Sequence, residues 1–177
     1  MDTNKFGITV ALVTLLALVL SAPTSALGEP NPGLEGITSI YVQVLPHDGP
    51  RDHQKEMEGY RLRYEVERLL SQAGMKILSE EEFQKFLPSR GYPLALVELR
   101  TKTVPVPVKD LDVMVFTVTL KLRQSVMLAR KPIVKVLAPT WELSDTGAAK
   151  GLATVKERAM TAVAGLVRDL QSSNPAR

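Results

Sequence analysis

Within Val113 to Leu128, Met114, Phe116, Val118, Leu120 and Leu122 on one parity alternate with Thr117, Thr119, Lys121 and Arg123 on the other. A period of two is a strand period, and a strand apolar on one face only belongs to a sheet with one buried and one wet side. The buried side needs a cover, so the chain is committed to a sheet with other elements laid against that face. Ala129 to Pro132 (ARKP) reads as a turn, and Ile133 to Leu143 as the returning strand of a hairpin. By alternation Trp141 belongs with Ile133 and Leu137; which face that is stays open.

The cover is also readable. Over Asp52 to Ala73 the period changes to helical, with Leu62, Val66, Leu69, Leu70 and Ala73 on one stripe, and Gly74 follows as a left-handed stop. On the exposed side Arg61 with Glu65, and Arg63 with Glu67, lie four apart. A closing helix carries Leu152, Val155, Ala159, Val163, Leu166, Val167 and Leu170 on one face. Each long helix has a single apolar stripe, so both are expected on the same sheet face.

Ile37 to Leu45 and the short Met75 to Leu78 read as further strands. Ser79 with Glu82 three positions on is a capping-box pattern, opening a short helix through Phe86. PSRGYP (Pro88 to Pro93) is a turn, and Leu94 to Val104 alternates again, with Ala95, Val97 and Leu99 opposite Glu98, Arg100 and Lys102. Pro105 and Pro107 then mark a loop or an edge, and Ser144 to Gly151 reads as a connection of small residues. The expected fold is α+β, in the order β-α-β-(α)-β-β-β-α. It comprises a mainly antiparallel sheet of about four to five strands with two long helices packed on one face.

Ahead of this domain, Ile8 to Leu20 is an unbroken apolar run behind Lys5. It is too short for a bilayer span, which takes about 20 apolar residues, and suits a signal-peptide core of about 7 to 15. Cleavage fits after Ala26 or after Gly28, with Ala26 favoured. The expected organisation is a signal peptide over 1–26, a linker over 27–36, one α+β domain over 37–171 and a disordered tail over 172–177. That implies a periplasmic or secreted protein with no membrane span once the signal is removed.

Composition excludes several classes. The chain has no cysteine, hence no disulfide framework, thiolate metal site, cysteine nucleophile or lipidation cysteine behind the apolar run. Lys and Arg total 22 against 19 Asp and Glu, a net +3, and they are interspersed with acids as in Arg61, Arg63, Glu65, Glu67 and Arg68. No stripe matches a phosphate backbone, so no nucleic-acid partner is expected. The glycines are dispersed and cradle no phosphate, no serine sits in a nucleophile elbow, and no cofactor is implied.

One cluster has the side chains of a metal or hydrolytic site: His47, Asp48, Asp52 and His53, around the Gly49-Pro50 turn. A polar turn with Asp52 as a helix cap accounts for the same residues and is preferred, because the spacing matches no ligand motif. Glu80, Glu81 and Glu82 at a helix start suit the helix dipole. Among the aromatics, Trp141 and Tyr92, together with Val106 in the proline-flanked TVPVPV segment, are the candidate contacts of a binding surface. Such a groove requires Trp141 to be exposed beside Pro105 to Val108.

The phrases LLSQAGMKILSEEEF, VTLKLRQSVMLARKP and VLAPTWELS resemble a broad set of exported bacterial α+β proteins for which no catalytic residues are established. The resemblance spans roughly 37–171 and rests on Leu69, Ala73, Gly74, Leu78, Glu80 to Glu82, Leu122 to Gln124, Arg130 and Trp141. The element order is also similar to small envelope accessory domains of the lipopolysaccharide-assembly lipoprotein, curli secretion and TolB amino-terminal types. The resemblance implies a periplasmic or secreted location. The expected function is a non-enzymatic envelope or secreted accessory domain that binds an envelope protein or small ligand through its sheet edge or exposed sheet face. The alternative is a small metal-dependent or hydrolytic enzyme using the His47, Asp48, Asp52 and His53 cluster.

Overall fold

The computed structural model describes residues 31–45, 53–86, 95–108 and 111–175. After a 3-10 turn at Pro32–Leu34 come β1 (Ser39–Leu45), α1 (His53–Gln72), β2 (Lys76–Ile77), α2 (Glu80–Phe86), β3 (Ala95–Val108), β4 (Leu111–Leu128), β5 (Lys131–Ala149) and α3 (Leu152–Ser173). The fold class is α+β, and the five strands form one sheet in the order β2-β1-β3-β4-β5.

The sheet is mixed, which corrects the expectation of a mainly antiparallel one. β1 pairs in parallel with both β2 and β3, whereas β3–β4 and β4–β5 are antiparallel. The reason lies in α2. Although only seven residues long, it serves as a second crossover, carrying the chain from β2 past β1 so that β3 enters beside β1 in the same direction. The two crossovers run in opposite senses across the sheet, and a right-handed rule then sends their helices to opposite faces. Alternate residues of β1 record this: Ile40 and Val42 pack with Val66 and Leu70 of α1, while Tyr41 packs with Phe83 of α2 and Leu96.

α1 and α3 share the first face, over Val97 and Leu99 of β3 and Phe116, Val118, Leu120 and Leu122 of β4. Val155, Ala159, Ala162, Val163, Leu166 and Leu170 form the buried stripe of α3. Lys156 of α3 donates to Glu65 of α1 at 2.6 Å, tying the helices on their wet side. α1 stops at Gly74, whose φ of +87° suits the residue without a Cβ, and the Met75 amide closes back on the Leu70 carbonyl at 3.1 Å. At α2 the capping box is closed in both directions: the Glu82 amide donates to Ser79 Oγ at 3.2 Å, and the Ser79 amide to Glu82 Oε2 at 2.9 Å.

Four further local readings change. β3 does not stop at Val104 but continues through Pro105 and Pro107 to Val108, paired throughout with β4. The described pairing with β1 ends at Leu45 opposite Arg100, so among the described residues β3 has beyond that point a side on which a missing N–H costs no ladder bond. β5 likewise runs past Leu143 to Ala149, and Ser144 sits in a strand opposite Thr119 rather than opening a loop. Gly147 explains the small residues there: it lies opposite Phe116, and a Cβ on it would stand 2.9 Å from Phe116 Cζ. Thr140 forms a bulge, because Leu122 is opposite Trp141 and Arg123 opposite Pro139. The extra residue reverses the parity of β5, so Trp141 faces the helices while Leu137 does not.

Finally, the ends of the domain pack together. Leu34, expected within a linker, is 0% exposed in the main core. Around it the Asn31 amide donates to Ser173 Oγ at 3.1 Å, the Gly36 amide to Asn174 Oδ1 at 2.7 Å, and Asn174 Nδ2 to the Leu34 carbonyl at 2.8 Å. Gln124 of β4 adds a bond from Nε2 to the Gly33 carbonyl at 2.6 Å. Ser173 and Asn174, expected in a disordered tail, therefore hold the entry segment against α3.

Candidate functional site

Because α1 and α3 cover one sheet face, the other is left for solvent or a partner. Among the described residues only α2 lies on it, at the Tyr41–Leu96 corner. The middle of this face is charged: Glu98 approaches Arg123 at 3.2 Å across β3–β4, and Lys121 approaches Glu142 at 3.0 Å across β4–β5. Thr117 and Thr146 bond across the same pair at 3.2 Å. The Lys121–Glu142 pair, with side chains 27% and 44% exposed, contributes about 0 to 1 kcal/mol, whereas Glu98 is 13% exposed and Arg123 Nε is buried, so the second pair lies closer to the sheet.

Towards the far end the same face turns apolar. Val104 is 51% exposed and Val115 41% exposed, with Val106 and Val113 half-buried beside them and Ala148 across from Val115. Valine pairs Val104–Val115 and Val106–Val113 lie opposite each other in the β3–β4 register. An apolar patch bordered by rows of charge has the composition of a contact surface. Val104 and Val106 both belong to the TVPVPV segment singled out from sequence; Val113 and Val115 were missed. Their signal was present, since Val113 and Val115 sit at the wet-face parity of a strand whose other parity already fills the core.

The remaining sequence candidates are placed as follows. His47, Asp48, Asp52 and Tyr92 lie outside the described residues, and His53 is the first residue of α1. Among the described residues no group of three or more His, Cys, Asp or Glu side chains converges to hold a metal ion. Trp141 is half-buried on the helix-covered side, where its Nε1 donates to Asp169 Oδ2 of α3 at 2.9 Å. Trp141 is opposite Leu122, whereas Val106 is opposite Val113. The structure thus separates Trp141 and Val106 by half the length of β4 and by the thickness of the sheet. Of the tyrosines, Tyr60 and Tyr64 are exposed on α1. Tyr64 borders a shallow depression of about 290 Å³ together with Glu67, Arg68, Ser71, Gln72 and Ile77.

Tyr41 is structural. Its ring stacks on Phe83 at 4.1 Å, Arg63 lies over it at 5.3 Å, and its hydroxyl donates to Glu80. Burial first, and the bond to Glu80 second, push the phenol above its ordinary pKa. Glu80 is held below the usual carboxylate range by bonds from Gln84 and then Tyr41, and Glu82 by the Ser79 amide and then Lys76. Of the acidic run at the start of α2, Glu80 is thereby engaged by Tyr41 and Gln84, and Glu82 by the capping box and Lys76. Among the described residues no helix is long and apolar enough to cross a membrane.

No protein-family model and no curated protein matches the chain. Among solved structures, a PelC dodecamer from Paraburkholderia phytofirmans is similar at 16% identity, covering 80% of this chain and 92% of that one, with a TM-score of 0.40. A minor lipoprotein from Acinetobacter baumannii is similar at 12% identity (78% and 87% covered, TM-score 0.33), and lipoprotein GNA1162 from Neisseria meningitidis at 15% (73% and 97% covered, TM-score 0.31). At these identities and TM-scores the likenesses carry no inference about activity or partner.

Proposed function

We propose that this chain is an exported, non-enzymatic accessory domain of the bacterial envelope that binds an envelope protein through the open face of its sheet. The observation that carries the reading is the valine patch of Val104, Val106, Val113 and Val115, lying beside the Glu98–Arg123 and Lys121–Glu142 rows on a face that no long helix among the described residues covers. Burial of such a patch supplies affinity and the flanking charges supply orientation. The destination rests on the apolar run Ile8 to Leu20 with its small-residue exit, read as a signal peptide removed after Ala26 or Gly28.

The test is comparative co-purification from the native envelope. Wild type and a control, Ala164→Glu on the exposed side of α3, should retain the same partner, and the doubly substituted Val104→Asp, Val115→Asp chain should lose it at least tenfold. Equal recovery by all three would refute the open-face assignment.

A further inference from the structure

Beyond Ala95 opposite Gln124, the described β3 no longer accompanies β4, but β4 and β5 stay paired with each other through Ser125–Leu137, Val126–Val136, Met127–Lys135 and Leu128–Lys131. Among the described residues the hairpin therefore extends past the sheet as a two-stranded ribbon, about 13 Å long for four residues at the usual strand rise. Its tip is apolar and exposed: Ile133 is 94% and Met127 64% exposed, and Leu128, Val136 and Leu137 are also exposed. Side chains of both parities contribute, Met127 and Leu137 on one face of the ribbon and Val136 on the other, so neither face is buried against the domain.

The charge at the tip is one-sided. From Gln124 to Trp141 the chain contains Arg130, Lys131 and Lys135 and no Asp or Glu, in a protein whose acids and bases are otherwise nearly balanced at 19 and 22. We infer that this ribbon is a membrane-contacting arm, whose tip inserts into the interface of an anionic lipid surface. Apolar side chains flanked by cations are the composition of interfacial insertion. The apolar parts enter the headgroup boundary by about 5 to 10 Å, a depth the ribbon spans, and the cations meet lipid phosphates. A partner protein docking on one face would leave the other face wet, whereas a lipid interface takes up both. A second copy docking tip to tip would bring three cations against three cations. The arm is separate from the valine patch, at the other end of β4, and either assignment stands or fails without the other.

The test uses the chain as recovered from an expressing bacterium, mixed with vesicles of phosphatidylglycerol and phosphatidylcholine, or of phosphatidylcholine alone, and floated on a density gradient. Wild type should float with the anionic vesicles and not with the neutral ones, and 0.5 M salt should weaken the association. Ile133→Asp, and separately Arg130→Glu with Lys131→Glu, should each lower the partition coefficient at least tenfold while leaving the thermal unfolding midpoint unchanged, since these side chains are exposed. Because the chain has no cysteine, an environment-sensitive fluorophore on Ile133→Cys reports the tip directly. Its emission should shift to the blue with anionic vesicles, while the same label on Ala164→Cys of α3 should not respond. Flotation indifferent to lipid charge or to the tip substitutions, as binding through Ile8 to Leu20 would give, overturns the proposal. So does a blue shift at Ile133→Cys that rises with protein concentration in the absence of lipid, the result of a second copy covering the tip.

Discussion

Replacing Gly147 by alanine tests the β4–β5 register at the point where sequence and structure diverge most. The added methyl would lie 2.9 Å from Phe116 Cζ, closer than real Cβ contacts come, and 3.1 Å from Cε1, tighter than most of them. Phe116 is itself buried in the core formed with α3, so its ring cannot swing away without displacing neighbours. Overpacking of this kind costs about 1 to 3 kcal/mol. Alanine also restricts the unfolded chain, returning about 0.4 to 1 kcal/mol, so the net loss should be about 0 to 2.6 kcal/mol, centred on about 1. Urea denaturation followed by circular dichroism reads this as a lower midpoint at unchanged slope. Two companions separate the cause from a general glycine effect. Gly165→Ala, within α3 and with nothing inside 4 Å of the new Cβ, should stabilise by about 0.5 to 1 kcal/mol through helix propensity. Phe116→Leu should cost less in the Gly147→Ala background than alone, because the smaller side chain vacates the methyl's space. A Gly147→Ala chain as stable as wild type, with additive behaviour in the double variant, would refute the register.

Three further outcomes follow from the packing. Leu166→Ala empties a fully buried position under α3 and should cost about 2 to 5 kcal/mol, whereas the partly exposed Leu69 should cost clearly less on truncation; equal losses by denaturation would contradict the burial. Trp141→Phe removes the 2.9 Å bond to Asp169 and should cost about 0.5 to 1.5 kcal/mol, and in wild type the single tryptophan's emission should respond to Asp169→Asn; an unaffected spectrum would argue against that tether. Ser79→Ala should cost about 1 kcal/mol as a lost N-cap. Glu82 is held below its ordinary pKa by the Ser79 amide and Lys76, so its contribution is present above the usual carboxylate range and is lost as pH falls through the folded value. Thermal melts between pH 6 and about pH 3 should show that acid loss, reduced in Glu82→Gln, and an unchanged profile in the variant would remove Glu82 from the account.

What was legible in the sequence was what neighbouring residues decide. Ser79 and Glu82, Gly74, the stripe of α3 from Val155 to Leu170 and the alternation of Met114 to Leu122 each act within a few residues, and each was found where the pattern placed it, while Leu152 at the start of α3 is exposed rather than part of the stripe. The differences arise where a distant partner decides. Ser144 to Gly151 reads as a connection of small residues until Phe116, far back in the chain, fills the space over Gly147. The Thr140 bulge flips Trp141 towards Asp169 on a helix that alternation within β5 does not register. Leu34 sits in a proline- and glycine-rich stretch, and its burial depends on Ser173 and Asn174 at the other end of the domain. Parallel entry of β3 beside β1 depends on a crossover through a helix of two turns. The binding surface was half legible: Val106 stood out through its flanking prolines, but its partners needed the β3–β4 register.

The open sheet face is the core of the functional account, and a photoreactive amino acid placed on it gives the most direct reading. Introduced at Val115 in the native envelope and illuminated, it should yield a discrete crosslinked partner, while the same group at Glu157, exposed on the outer side of α3, should yield none. Adducts from Glu157 with none from Val115 would contradict the account.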